Sequence, residues 1–250
     1  MMPMTTQAEQ WEYYDGINDH GELVVTLVNL WFQDQSIVRQ THPWLVLLLV
    51  EHIGTEGVGG LAGVQSLITR SFASAANVEY VARCDRPKSS EFWFYSDRDY
   101  NPGSKVLAAL DASAKVFVDV RADPEWTAYV GHLLPQTASQ HRQVLNGKTM
   151  RELKRQGDRS DQPHTVTHLL EFRQIDDLAK CQSVLAKHGF SMIESKTVNG
   201  WIAAKFIQKL NPLSLQMLNE ATNNLITLCA QCDGRYDGWE TQVIGSKSGG

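Results

Sequence analysis

The dipeptide Asn199-Gly200 lies between two runs rich in β-forming residues, Ile193 to Val198 and Trp201 to Leu210. Both central residues of a two-residue hairpin loop favour positive φ, which asparagine and glycine adopt at least cost, so this is the strongest short hairpin signal in the chain. A hairpin alone is marginal and needs further strands or helices over its apolar face. The flanking segments supply them. Upstream, Val166, His168, Leu170 and Phe172 share one face of a strand. A helix follows from Ile175, with Asp176 and Asp177 in the first turn, a stripe of Leu178, Cys181 and Leu185, Lys187 and His188 in the last turn, and Gly189 as C-cap. Downstream, Asn211-Pro212 reads as N-cap and N1 of a helix striped by Leu215, Leu218, Thr222, Leu225 and Cys229. Asp237-Gly238 reads as a chain reversal into a last strand, Trp239 to Ile244. Strand, helix, strand, strand, helix, strand is the split βαβ order of ferredoxin-like folds.

At 250 residues the chain exceeds the usual domain size of about 100 to 150, so a second domain is expected. In the first half, Trp11 to Gly16 and Glu22 to Phe32 read as a hairpin around Asp19-His20-Gly21. Trp44 to Ile53 is apolar on both faces, the pattern of a strand covered on both sides. Leu61, Val64, Leu67, Ile68, Phe72 and Ala75 form a helical stripe, and Val78 to Cys84 and Glu91 to Ser96 are strands joined at Asp85-Arg86-Pro87-Lys88. Ser104 to Asp111 is helical in pattern, and Val116, Val118 and Val120 alternate as in a strand. The fold class expected is therefore α+β, with two ferredoxin-like (βαββαβ) domains, the first preceded by an N-terminal β-hairpin. The bounds are 8–135 for the first domain, 136–160 for a partly helical polar linker ending at Gly157-Asp158, and 161–245 for the second.

The composition narrows the classes of function. A net charge of -5 argues against a general nucleic-acid or membrane-surface binder, and the six basic against three acidic residues of the linker region are too few for an electrostatic footprint. No run reaches the roughly 18 to 20 apolar residues of a membrane span, and the first residues have no basic start or apolar core of a secretion signal. Four scattered cysteines (Cys84, Cys181, Cys229, Cys232) do not make a disulfide framework, and a cytoplasmic location is expected.

Each candidate for chemistry has a simpler reading. Cys229-Ala230-Gln231-Cys232 sits at the C-terminal end of a helix, where the carbonyl ends disfavour thiolate, and both cysteines continue an apolar stripe. His164 and His168 share a strand face, yet neither their spacing nor the distance to the cysteines fits a zinc pattern, so no metal or cofactor is expected. Gly57, Gly59 and Gly60 open a G-x-G-x-x-A stretch ending at Ala62, which defines an alternative reading, a small-molecule or nucleotide-binding enzyme using this loop and the cleft between domains. Against it, Glu51 to Glu56 separate the glycines from the strand, and a hairpin follows where a crossover belongs. Trp201, Phe206, Tyr236 and Trp239 are aromatics of a core or a protein interface, since the signature and basic surround of an RNA-stacking platform are missing.

Gly157-Asp158, Pro163, Val166, His168 and Phe172, Gly189-Phe190 and Tyr236-Asp237-Gly238-Trp239 together make the second half similar to the ribonuclease E inhibitor family, also called regulator of ribonuclease activity B. The resemblance implies a ferredoxin-like fold and a non-catalytic, cytoplasmic regulator that binds and modulates a ribonuclease E-type endoribonuclease. His164 stands where relatives with a similar linker tend to have arginine, and 245–250 carries no counterpart of the namesake's acidic tail. His168, Tyr236, Asp237 and Trp239 are the residues expected at the partner contact. The first half resembles the domain of unknown function 695 through Trp11-Glu12-Tyr13-Tyr14, Phe92-Trp93-Phe94-Tyr95 and Asp123-Pro124-Glu125-Trp126 with Tyr129, Leu134 and Pro135. That resemblance implies a domain boundary and a two-domain order of bacterial type, without a mechanism.

Overall fold

The computed structural model describes residues 10–51, 68, 77–102 and 115–245, and the chain divides after Gln136 into two compact units. The glycine loop 57–62, the expected helix 104–111 and most of the expected helix 61–75 lie outside the described residues, although Ile68 is helical and buried. Among the described residues no helix is long and apolar enough to cross a membrane.

In the first unit, β1 (Trp11–Ile17), β2 (Leu23–Asn29), β3 (Trp44–Glu51), β4 (Val78–Arg86), β5 (Ser89–Ser96) and β6 (Lys115–Ala122) form one antiparallel sheet in the order β1-β2-β4-β5-β3-β6. The hairpin β1–β2 extends the sheet at the edge of β4. Val46, Leu48 and Val50 of β3 pack with Ile68, Phe92 and Phe94, and Leu45 is fully buried on the other face. The run is apolar throughout because both faces are covered.

The second face is closed by an aromatic knot. Phe32 comes from a 3-10 turn (Leu30–Asp34), which the short helix α1 (Ser36–Thr41) follows, and Tyr129 from a π-helical turn (Tyr129–Leu133). Between them Trp126, fully buried at φ +54°, stacks on Tyr95 at 3.8 Å between centroids and donates from Nε1 to the carbonyl of His42 at 2.8 Å. Asp123 accepts from Tyr95 Oη (2.6 Å), from Thr127 N–H and Oγ1 (both 2.7 Å) and from Ala128 N–H (3.0 Å).

The second unit comprises α2 (Ala138–Arg155), β7 (His164–Phe172), α3 (Ile175–Lys187), β8 (Ser191–Val198), β9 (Trp201–Leu210), α4 (Leu215–Gln231) and β10 (Gly234–Glu240). Its antiparallel sheet runs β10-β7-β9-β8, an order compatible with a ferredoxin-like arrangement. One core gathers Leu170, Phe172, Leu178, Cys181, Leu185, Phe206, Leu225 and Cys229; a second gathers Leu153, Val166, Leu210, Leu213 and Leu218, with Trp239 against it. The expected turns form where backbone conformation demands them: Asn199 and Gly200 lie at φ +51° and +76°, and Gly189 at +82° follows α3, with Phe190 N–H on the carbonyl of Leu185 at 3.1 Å.

Two expectations are corrected, and a third is sharpened. The long helix starts at Leu215, and Ser214, not Asn211, caps it, accepting from Met217 N–H at 3.2 Å; the Asn211-Pro212 peptide is cis. Asp237-Gly238 does not reverse the chain: β10 begins at Gly234, directly after α4, and carries the pair as a β-bulge. Most of segment 136–160 is α2, which packs against α4 with Val144, Asn146, Gly147 and Leu153 buried. Its polar character is real on the outer face, but on the inner one Gln143, Asn146 and Gly147 join Val144 and Leu153. A capping box of Thr137 and Gln140 starts α2, and Gly157 at φ +82° ends it.

Candidate functional site

The residues singled out by the sequence converge where β7, β10, α2 and α4 meet. His168 points inward from β7 between Val166 and Leu170 and is fully buried. Its Nδ1 shares a hydrogen bond of 3.0 Å with Tyr236 Oη, and Phe190 meets the ring edge-on at 5.5 Å between centroids. Nε2 has no hydrogen-bond partner. Burial pushes the imidazole down to about 4, so the ring is neutral at pH 7. Burial likewise raises the phenol of Tyr236, outweighing the opposing charge of Arg142.

Tyr236 and Trp239 are three apart and would face opposite sides of a regular strand. The bulge changes this: Tyr236 stands opposite Leu170, Gly238 opposite Leu169 and Trp239 opposite His168, so the extra residue, Asp237, turns both aromatics inward. Arg142 of α2 covers the bulge, its guanidinium 5.1 Å from the Tyr236 ring centroid and its Nη2 donating to the carbonyl of Asp237 at 2.6 Å. Gly238 lies directly under this guanidinium, where a Cβ would meet Arg142 Nη1 at 3.4 Å, an ordinary van der Waals contact. Trp239 Nε1 donates to Asn146 Oδ1 at 2.8 Å, and Asn146 Nδ2 reaches Asn219 Oδ1 at 2.9 Å and Thr222 Oγ1 at 3.0 Å.

Of the four residues expected at a partner contact, His168 is fully buried and Tyr236 and Trp239 are partly buried against their own unit, while Asp237 is exposed. Arg142 and Asn146 complete the cluster from α2; they were not singled out as site residues, since nothing near them in sequence marks a partner more than ninety positions away. Trp201 and Phe206 part company: Phe206 is in the core, and Trp201 lies with the guanidinium carbons of Arg173 and Arg235 at 3.5 and 4.3 Å from its ring centroid. Nearby, Leu169, Glu171, Ala203, Lys196 and Lys205 line a depression of about 120 Å³.

Residues 143–241 match the family model described as regulator of ribonuclease activity B. The second unit is thus similar to that family from within α2 to one residue beyond β10. No curated protein matches the chain. The second unit also contains a buried junction: His164 Nε2 lies 3.0 Å from Asp158 Oδ1, which accepts from Ile244 N–H at 2.8 Å, while Ser160 donates to Oδ2 at 3.1 Å. Burial raises the Asp158 carboxyl, but these hydrogen bonds outweigh it and hold the group below its ordinary value.

Two thiols of the second unit are held in the protonated form. Cys181 is pushed up by the neighbouring Cys229 thiol and by burial, and Cys232 chiefly by burial. Among the described residues no group of three or more histidine, cysteine or acidic side chains is placed to hold a metal ion.

Proposed function

We propose that the chain is a non-catalytic, cytoplasmic regulator whose second unit binds and modulates a ribonuclease E-type endoribonuclease. The match of 143–241 to the regulator family carries this reading. In this reading Asp237, exposed on a bulge that Arg142 pins in place, is the expected contact residue, and His168, Tyr236 and Trp239 act by holding that shape. In the same reading the second domain covers 161–245 with α2 packed on it, and the first unit, closed by the Asp123–Trp126 knot, is the part that resembles the domain of unknown function 695.

The test is direct. Purified chain is titrated onto a purified ribonuclease E-type endoribonuclease, with binding read by calorimetry and cleavage of a fluorescent RNA read in parallel. Saturable binding with slowed cleavage is expected, and Asp237→Lys weakens binding without lowering the melting temperature. No binding, together with an unchanged cleavage rate, overturns the reading.

A further inference from the structure

The sheet of the second unit ends on one side at β8, an eight-residue strand with seven of its residues exposed. Among the described residues its backbone groups on the side away from β9 have no hydrogen-bond partner, whereas at the opposite edge the carbonyl left over by the β10 bulge is taken by Arg142. An open edge of this length is a template for another strand. Antiparallel pairing of two copies about a two-fold axis normal to the sheet keeps residues of one face opposite each other, so the register must be centred on a residue. Centred on Ser195, it places Glu194 opposite Lys196 of the second copy twice over. Centring on Glu194 or on Lys196 sets two like charges face to face instead.

We infer that β8 is a homodimerisation edge, joining two copies of this chain antiparallel about Ser195 into one continuous sheet. The bulge between Met192 and Glu194 keeps the ladder short, so the interface is at the small end of specific contacts, under about 1,200 Å² in total, and the dimer is weak and concentration-dependent. The twin Glu194–Lys196 contacts set the register and make association sensitive to salt.

Sedimentation equilibrium of the full chain over a concentration series tests this. The natural chain is expected to show a reversible monomer–dimer equilibrium. Glu194→Lys and Lys196→Glu each make two like-charge contacts across the axis and weaken dimerisation by about tenfold or more. An equimolar mixture of the two variants regains dimer, because both contacts across the axis then pair a lysine of one variant with a glutamate of the other. The double variant, with the two charges exchanged within one strand, dimerises by itself. Thermal melts of each variant establish that it is folded, and recovery on mixing is not produced by a misfolded chain. A natural chain that stays monomeric up to about millimolar concentration overturns the inference and leaves the edge to a strand of another protein. Single variants that dimerise as well as the natural chain, or mixtures that stay monomeric, overturn it too.

Discussion

Trp239 donates its indole N–H to Oδ1 of Asn146 at 2.8 Å, across 93 positions of sequence, and thereby ties the last strand to the first helix of the second unit. The amide of Asn146, fully buried, is spent in full: one bond accepted from Trp239 and two donated, to Asn219 and Thr222. Such a network is stabilising only while every member is satisfied.

Asn146→Ala strands the indole N–H inside the unit and opens a small void. A loss of about 2–3 kcal/mol is expected in urea unfolding. Trp239→Phe removes the same bond from the other side. The double variant is expected to cost less than the two single losses added together, and strict additivity would contradict the coupling.

His168 makes stability depend on pH. Its folded-state value of about 4 lies below the ordinary 6.5, so as pH falls the unfolded chain takes up the proton first. The folded state therefore loses stability between about pH 6.5 and 4, amounting to about 2 kcal/mol by pH 5, and gains nothing from this ring above pH 7. Urea midpoints of the natural chain and of His168→Gln at pH 7, 6 and 5 check it. The natural chain is expected to show the extra decline and the variant to lack it.

Gly234 opens β10 where no side chain fits. A Cβ there would lie 2.3 Å from Cε1 and 2.6 Å from Cδ1 of Phe172, a fully buried ring. Gly234→Ala must displace that ring within the core and is expected to cost about 2–3 kcal/mol. Gly131→Ala, with nothing within 4 Å of the new carbon, serves as the tolerated comparison in the same urea assay.

Asp123 holds the first unit's knot by accepting four hydrogen bonds. Burial raises its carboxyl, but the bonds from Tyr95, Thr127 and Ala128 outweigh this and hold it below the ordinary value. A depressed carboxyl contributes stability above its unfolded pKa and loses it as pH falls through the folded one. Asp123→Ala leaves the Tyr95 hydroxyl and two backbone N–H groups without their acceptor. It is expected to cost about 2–3 kcal/mol and to weaken the near-ultraviolet dichroism of Trp126, which stacks on Tyr95.

Much of the second unit was legible because its signals are local. Asn199-Gly200 specifies positive φ at two successive residues, and Gly157 and Gly189 specify it at two helix ends, whatever the rest of the chain does. Stripes such as Leu178, Cys181 and Leu185 likewise need only a helix and an apolar neighbour. Asp237-Gly238 misled because the same dipeptide suits a turn and a bulge. The register of β7 against β10, with Tyr236 opposite Leu170 and Trp239 opposite His168, is a long-range fact that decides between them. The packing of the helix in segment 136–160 was not legible because it buries Gln143, Asn146 and Gly147, which a reading of hydrophobic periodicity does not count as core.

The sequence by itself determined the α+β class, the turns at Asn199-Gly200 and after α3, and that the run from Trp44 is a strand covered on both faces, because backbone conformation and apolar periodicity act over a few residues. Only the tertiary structure decided that Tyr236 and Trp239 both look inward towards His168, that Asn146 and Arg142 complete their cluster, and that β8 is left open. Those outcomes rest on pairing between segments far apart in the chain, where one extra residue in a strand reverses every side chain beyond it.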